Sequence, residues 1–227
     1  MKGYTVTHIE KIDTHITFIR INPTDIKLTL KEVFQSLSDL SWLSQFDGSY
    51  IVESFNERAK NTIQFIADNI IKAEDDSVTS SSGEYIVSEL ARKSIVSELK
   101  YLDIPLAELI KKQKIGNPGF DFYSENTTNI ILFGEAKYLT DKNAYGKAFE
   151  QIVKFENNKN DVEDLIDFDR FCSMDSLKKF QKSEKGFIAA FSSKTISTDR
   201  LIKNICKNAD FIQIKRFNEV ICVAVDI

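Results

Sequence analysis

Apolar positions along this chain switch between strand-like and helical spacing. Ile9 through Leu28 holds short β-prone segments such as Ile16-Thr-Phe-Ile-Arg-Ile21, closed by a turn signal at Asn22-Pro23-Thr24-Asp25. Lys31 to Leu43 repeats Val33, Leu37, Leu40 and Leu43 at helical spacing. Phe55 to Lys72 is a clearer amphipathic helix, with Phe55, Ala59, Ile63, Ile66 and Ile70 on one stripe. From Asp75 to Gly83 the residues are small and polar, a linker pattern. Glu84 to Lys100 returns to helix, its broad apolar face made by Ile86, Val87, Leu90, Ala91, Ile95 and Leu99. Glu84 falls near that face and Glu89 almost opposite it.

Pro105 to Lys114 is ambiguous, with Leu106-Ala-Glu-Leu-Ile110 able to supply a strand, and Gly116-Asn-Pro-Gly119 is a turn. Ile130-Ile131-Leu132-Phe133 reads as a buried strand that stops at Gly134. Asn143 to Asn158 is helical through Ala144, Ala148, Ile152 and Phe155, and the charged stretch 157–184 is a helical insertion. Gly186 to Phe191 is a strand and Thr198 to Lys207 a helix. Phe211 to Arg216 and Val220 to Val225 are read as the strands that finish the sheet. The order predicts an α/β fold with a central mixed sheet flanked by helices. It divides into a small N-terminal α+β unit (1–76), a linker (77–83) and a main domain (84–227). The N-terminal stripe serves the core or a partner surface.

Composition narrows the chemistry. The chain has 227 residues, 42% hydrophobic, enough for a sizeable core. Its net charge of −4 excludes a surface coated in basic residues, so any nucleic-acid contact is a local basic face or belongs to a partner subunit. Cys172, Cys206 and Cys222 form no Cys-x-x-Cys pair, and Cys222 reads as a core filler. Reduced thiols, the lack of an apolar signal region and the lack of a membrane-length run predict a cytoplasmic protein. No Walker-type loop occurs, so this chain is not expected to bind ATP that way. His8 and His15 lie far from the acidic cluster below, which excludes a histidine triad or a two-histidine metal site there.

The candidate chemistry is concentrated between Gly119 and Tyr138. Asp121 stands alone among apolar and aromatic neighbours, and Glu135 and Lys137 follow where the apolar run ends. Residues two apart on a strand share a face. Asn126, Thr127, Thr128 and Asn129 are turn-prone. With a loop from Asn126 to Ile130, Glu125 pairs with Ile131 and Asp121 lies opposite Glu135. Directly opposite carboxylates, about 5 Å apart, repel by roughly 3 kcal/mol at an effective dielectric of about 20. Either a cation sits between them or one holds a proton. A hard divalent cation suits oxygen ligands, Mg²⁺ at a phosphate site above all.

Gly-Phe-Asp121 followed by Glu135-Ala-Lys137 resembles the PD-(D/E)XK nucleases, the restriction-endonuclease-like superfamily, from about Gly83 to the C-terminus. Gly-Phe-Asp stands where the superfamily has Pro-Asp. The resemblance implies Mg²⁺-dependent hydrolysis of DNA phosphodiester bonds, with Mn²⁺ as a substitute. It implies that Asp121, Glu135 and the Ala136 carbonyl hold the metal and that Lys137 orients the attacking water. The first core helix of such enzymes brings an acid to the metal. Glu84 is chosen here and Glu98 kept in reserve, while Ser81-x-x-Glu84 is equally a capping box. Lys112 and Lys114 of the basic run, and Lys147, Gln151 and Lys154 at i, i+4 and i+7, are either solvated or placed to meet DNA backbone. Within the superfamily, Phe133-Gly-Glu-Ala-Lys-Tyr138 and the Gly83-Glu84 helix start resemble the nuclease subunit of the Hachiman anti-phage system. That resemblance implies a helicase partner. The alternatives are a stand-alone type II restriction or DNA-repair endonuclease, and an inactive module of the same fold that assembles with a partner.

Overall fold

The computed structural model describes residues 2–66, 80–111 and 119–227. Its strands are β1 (Tyr4–Asp13), β2 (Ile16–Pro23), β3 (Phe122–Glu125), β4 (Ile131–Lys137), β5 (Lys185–Ser193) and β6 (Glu219–Asp226). Its helices are α1 (Ile26–Ser38), α2 (Ser49–Ile66), α3 (Ser80–Ser94), α4 (Ala107–Ile110), α5 (Tyr145–Asn157), α6 (Asn160–Phe168), α7 (Met174–Gln181), α8 (Thr198–Cys206) and α9 (Ala209–Ile214). The strands make one mixed sheet in the order β1-β2-β6-β5-β4-β3. β2, β6, β5 and β4 are parallel, and β1 and β3 close the two edges antiparallel.

The central strands are apolar on both faces, the pattern of a parallel sheet covered by helices. Every residue of β5 is buried. α3 lies across β3 to β6 through Ile86, Val87, Leu90 and Ala91, all fully buried. α5 packs on β4 and β5 through Ala148, Phe149 and Ile152, and Phe149 meets the rings of Phe191 and Phe211. The N-terminal strands share this sheet, Ile16 pairing with Val220 and Ile21 with Val225, so no break in the sheet falls between the two predicted units. Residues 80–83 of the predicted linker begin α3, and 77–79 lie outside the described residues.

Two strand predictions are corrected. Leu106 to Ile110 forms α4, where Leu106, Ala107, Leu109 and Ile110 are buried at helical spacing. Phe211 to Ile214 lies in α9, which Asn208 caps by accepting from the Asp210 and Phe211 N–H groups, and Lys215 and Arg216 fall in the turn after it. Phe211 and Ile214 point inward there, three residues apart, and Ile212 is exposed. Glu89, placed by periodicity away from the core, is fully buried. α1 packs against that side of α3, and Arg92 binds both Glu89 oxygens at 2.8 Å while also reaching Ser36.

Parallel strands put their carboxyl ends on one rim. Pro23, Lys137, Ser193 and Asp226 end β2, β4, β5 and β6 there, and α1, α5 and α8 begin just beyond it. Helix N-termini carry partial positive charge, and open α/β sheets bind ligands at this rim. Among the described residues, no helix is long and apolar enough to cross a membrane.

Candidate active site

The β3–β4 turn sets the site. Asn126 Oδ1 accepts from Thr128 N–H, Thr128 O–H and Ile130 N–H, and Asn129 takes the left-handed conformation at φ 59°. This fixes the predicted register, from Glu125 against Ile131 to Phe122 against Gly134. Asp121 continues it past the end of β3. Its N–H donates to the Gly134 carbonyl at 2.9 Å, and its Oδ2 accepts from Ala136 N–H at 2.7 Å. The aspartate carboxylate is thus tied beside Glu135. Gly134 is required by this approach, since a Cβ there would lie 2.5 Å from the Phe122 ring.

Glu135 is only 2% exposed. Its Oε1 meets Lys137 Nζ at 2.7 Å, while its Oε2 is buried with no hydrogen-bond partner. Lys137 Nζ also lies 3.3 Å from Glu84 Oε1. α3 begins at Ser80, so Ser81 is not its cap residue, and Glu84 reaches across to the β4 lysine instead. Glu98 is exposed, bonds its neighbour Ser97 and takes no part.

The electrostatics follow from burial. Burial pushes the Asp121 carboxyl up to about 7, against the pull of Lys137 and the Ala136 N–H, with Glu84 and Glu108 adding to the rise. Glu135 is pushed up by burial and then by the Asp121 charge, with Lys137 opposing. Burial alone would lower Lys137, but Glu135, Asp121 and Glu84 raise it and hold it protonated. Two residues join the set that sequence reading missed. Glu108 follows Ala107, whose N–H donates to the Asp121 carbonyl at 2.9 Å, and burial raises its pKa. Tyr85 is raised by burial and by Glu108, Asp121 and Glu84 together. Glu108 carried the same signal as Asp121, a lone acid in an apolar run.

Among the described residues, no group of three or more His, Cys, Asp or Glu stands assembled as a metal-ligand set. Two adjacent carboxylates with one unpartnered buried oxygen still fit a hard cation. Mg²⁺ keeps several waters and needs only one or two protein carboxylates. Asp121, Glu135 and the Ala136 carbonyl are the donors available to it.

The predicted DNA contacts are less gathered. Lys112 and Lys114 lie outside the described residues. Lys147 is exposed in the first turn of α5, near the rim, and pairs with Glu150 at 2.8 Å. Gln151 is half-buried, and Lys154 is exposed about 10 Å further along the helix. Lys194, not anticipated, lies 5.5 Å from the ring centre of Tyr138 beside the site. No protein-family model, curated protein or solved structure matches this chain.

Proposed function

We propose that this chain is a metal-dependent nuclease that hydrolyses DNA phosphodiester bonds. The observation that carries the proposal is the convergence of Asp121, Glu135 and Lys137 at the carboxyl end of β4, with one glutamate oxygen buried and unpartnered. Asp121 and Glu135 are the carboxylates to hold Mg²⁺ or Mn²⁺, and the Ala136 carbonyl adds a third oxygen. A bound Mg²⁺ supplies Lewis acidity toward a phosphate oxygen and a more acidic water. Lys137 contributes a protonated amine where negative charge grows on the phosphate. Glu84 holds that amine from the α3 side. The finer proposal is the Hachiman-like one, a defence nuclease that works with a helicase.

One observation favours a second reading. Lys137 already pairs with both Glu135 and Glu84, a charge balance that an inactive module of this fold would also show.

The purified chain, alone and with its helicase partner, should nick supercoiled plasmid in Mg²⁺ or Mn²⁺. Glu135→Ala and Lys137→Ala should each slow cutting by about 10²-fold or more while keeping the wild-type circular dichroism spectrum. Variants that cut as well as wild type would remove the site assignment. Partner binding without cutting in any metal would establish the module. Discrete fragments would indicate restriction, and smearing a nonspecific defence nuclease.

A further inference from the structure

We propose that Asp164, on α6, is a positioning residue for Asp121 and sets the cation affinity of the site. This rests on the nuclease reading above. Asp164 comes from the inserted helical stretch, far along the chain from Asp121, yet is only 4% exposed. Its Oδ2 accepts from the Phe120 N–H at 2.8 Å and from the Tyr123 O–H at 2.9 Å. Its Oδ1 takes the Lys111 ammonium at 2.7 Å. Lys111 in turn donates to the Phe120 carbonyl at 3.2 Å, and the Tyr123 hydroxyl lies 3.3 Å from the same oxygen. Both backbone groups of the residue before Asp121 are therefore held by one buried ion pair and a tyrosine.

The sheet does not do this work. β3 starts only at Phe122, so Gly119 and Phe120 have no strand partner. The Phe120 ring packs on Phe133, Phe155 and Phe187, which fixes the side chain, while the clamp fixes the peptide. Gly119 makes the approach possible: a Cβ there would lie 2.2 Å from Lys111 Nζ and 2.6 Å from Asp164 Oδ1. Replacing a buried ion pair by apolar residues of equal volume is often neutral or stabilising for a fold. Apolar residues cannot bind the N–H and the carbonyl of Phe120, which set the direction in which Asp121 leaves the bend. Groups that orient a metal ligand are worth about 10–100-fold in metal affinity.

The test is calorimetric titration of the full chain with Mn²⁺ alone, at a temperature where circular dichroism shows each variant folded. Asp164→Asn should weaken Mn²⁺ binding about ten-fold or more. The double variant Lys111→Met with Asp164→Asn, which leaves no lone buried charge, should do the same. Tyr123→Phe, which removes one donor, should fall between these and wild type. On plasmid DNA, kcat should drop while KM stays. A lower melting temperature with wild-type Mn²⁺ affinity would overturn the proposal, since the clamp would then only hold the fold. If Glu135→Gln loses Mn²⁺ while Asp164→Asn keeps it, the clamp falls and the nuclease reading stands. If the wild-type chain takes up no Mn²⁺, both fall.

Discussion

Asp121 keeps its proton up to about pH 7, against 3.8 for an aspartate in water, chiefly because burial disfavours its charge. Between those values the folded chain binds more protons than the unfolded one. The stability this contributes is complete below 3.8 and is lost as pH rises through 7. The metal-free protein should therefore melt at falling temperature from about pH 4 to about pH 7. Asp121→Asn should flatten that slope and raise the melting temperature near pH 8 by about 2–4 °C, equivalent to about 1 kcal/mol in a chain of this size. Scanning calorimetry of both proteins checks it, and an equal slope in the variant would assign the titration to another group. Mg²⁺ added near pH 8 should raise the melting temperature of the wild type more than that of the variant. At this scale the sequence was readable at Asp121, an acid standing alone, although Glu108 carries the same pattern and was passed over. Asp121 was singled out in that way, Glu135 by the end of its apolar run and Glu84 by its helix face; Glu135 and Glu84 pair with Lys137, and Asp121 binds the Ala136 N–H beside them. Asp164 lies among Asp161, Glu163 and Asp167, and nothing in that run tells that Asp161 and Asp164 are the buried ones or that Asp164 is the one that reaches Phe120.

The β3–β4 hairpin is the element on which the site depends. Its register was legible because the turn chemistry is local and one count of loop residues fixes every pair. Gly134→Ala drives a methyl into the buried Phe122 ring and should cost about 1–3 kcal/mol, read from urea unfolding. It should also lower cutting, because the same peptide oxygen receives the Asp121 N–H. Two short apolar segments were not legible. In 106–110 and 211–216, alternation and helical spacing agree over four or five residues, and only the packing of α4 and α9 decides between them. α5 separates two lysines that sequence treated alike. Lys147 starts the helix at the rim and Lys154 lies two turns away. Lys147→Ala should weaken DNA binding and lower its salt dependence by about one unit of log–log slope, with Lys154→Ala changing less. Fluorescence anisotropy over a salt series checks both, and equal effects would mean that DNA follows the whole length of α5.

Across the molecule, the N-terminal hairpin completes the sheet that carries the site. Ile19 and Ile21 of β2 and Val223 and Val225 of β6 are fully buried, and β2 is hydrogen-bonded to β6 along six residue pairs. A fragment beginning at residue 77 would expose β6 as a bare apolar edge, and such edges promote aggregation. It should fail to give a soluble, cooperatively melting species by gel filtration and circular dichroism. Recovery of a stable, metal-binding fragment would show that the hairpin is dispensable. Sequence periodicity found these strands but not their neighbour, because register between distant segments leaves no local trace. The pairing of Ile16 with Val220 also has a consequence for how the protein is born. A ribosome adding about 5–20 residues per second takes roughly 10–40 s to make the roughly 200 residues between them. Throughout that interval the hairpin waits without its mate, in need of shelter from other nascent chains. The hairpin cannot be joined to β5 and β4 until β6 has emerged, so the six-stranded sheet is complete only once its last strand is made.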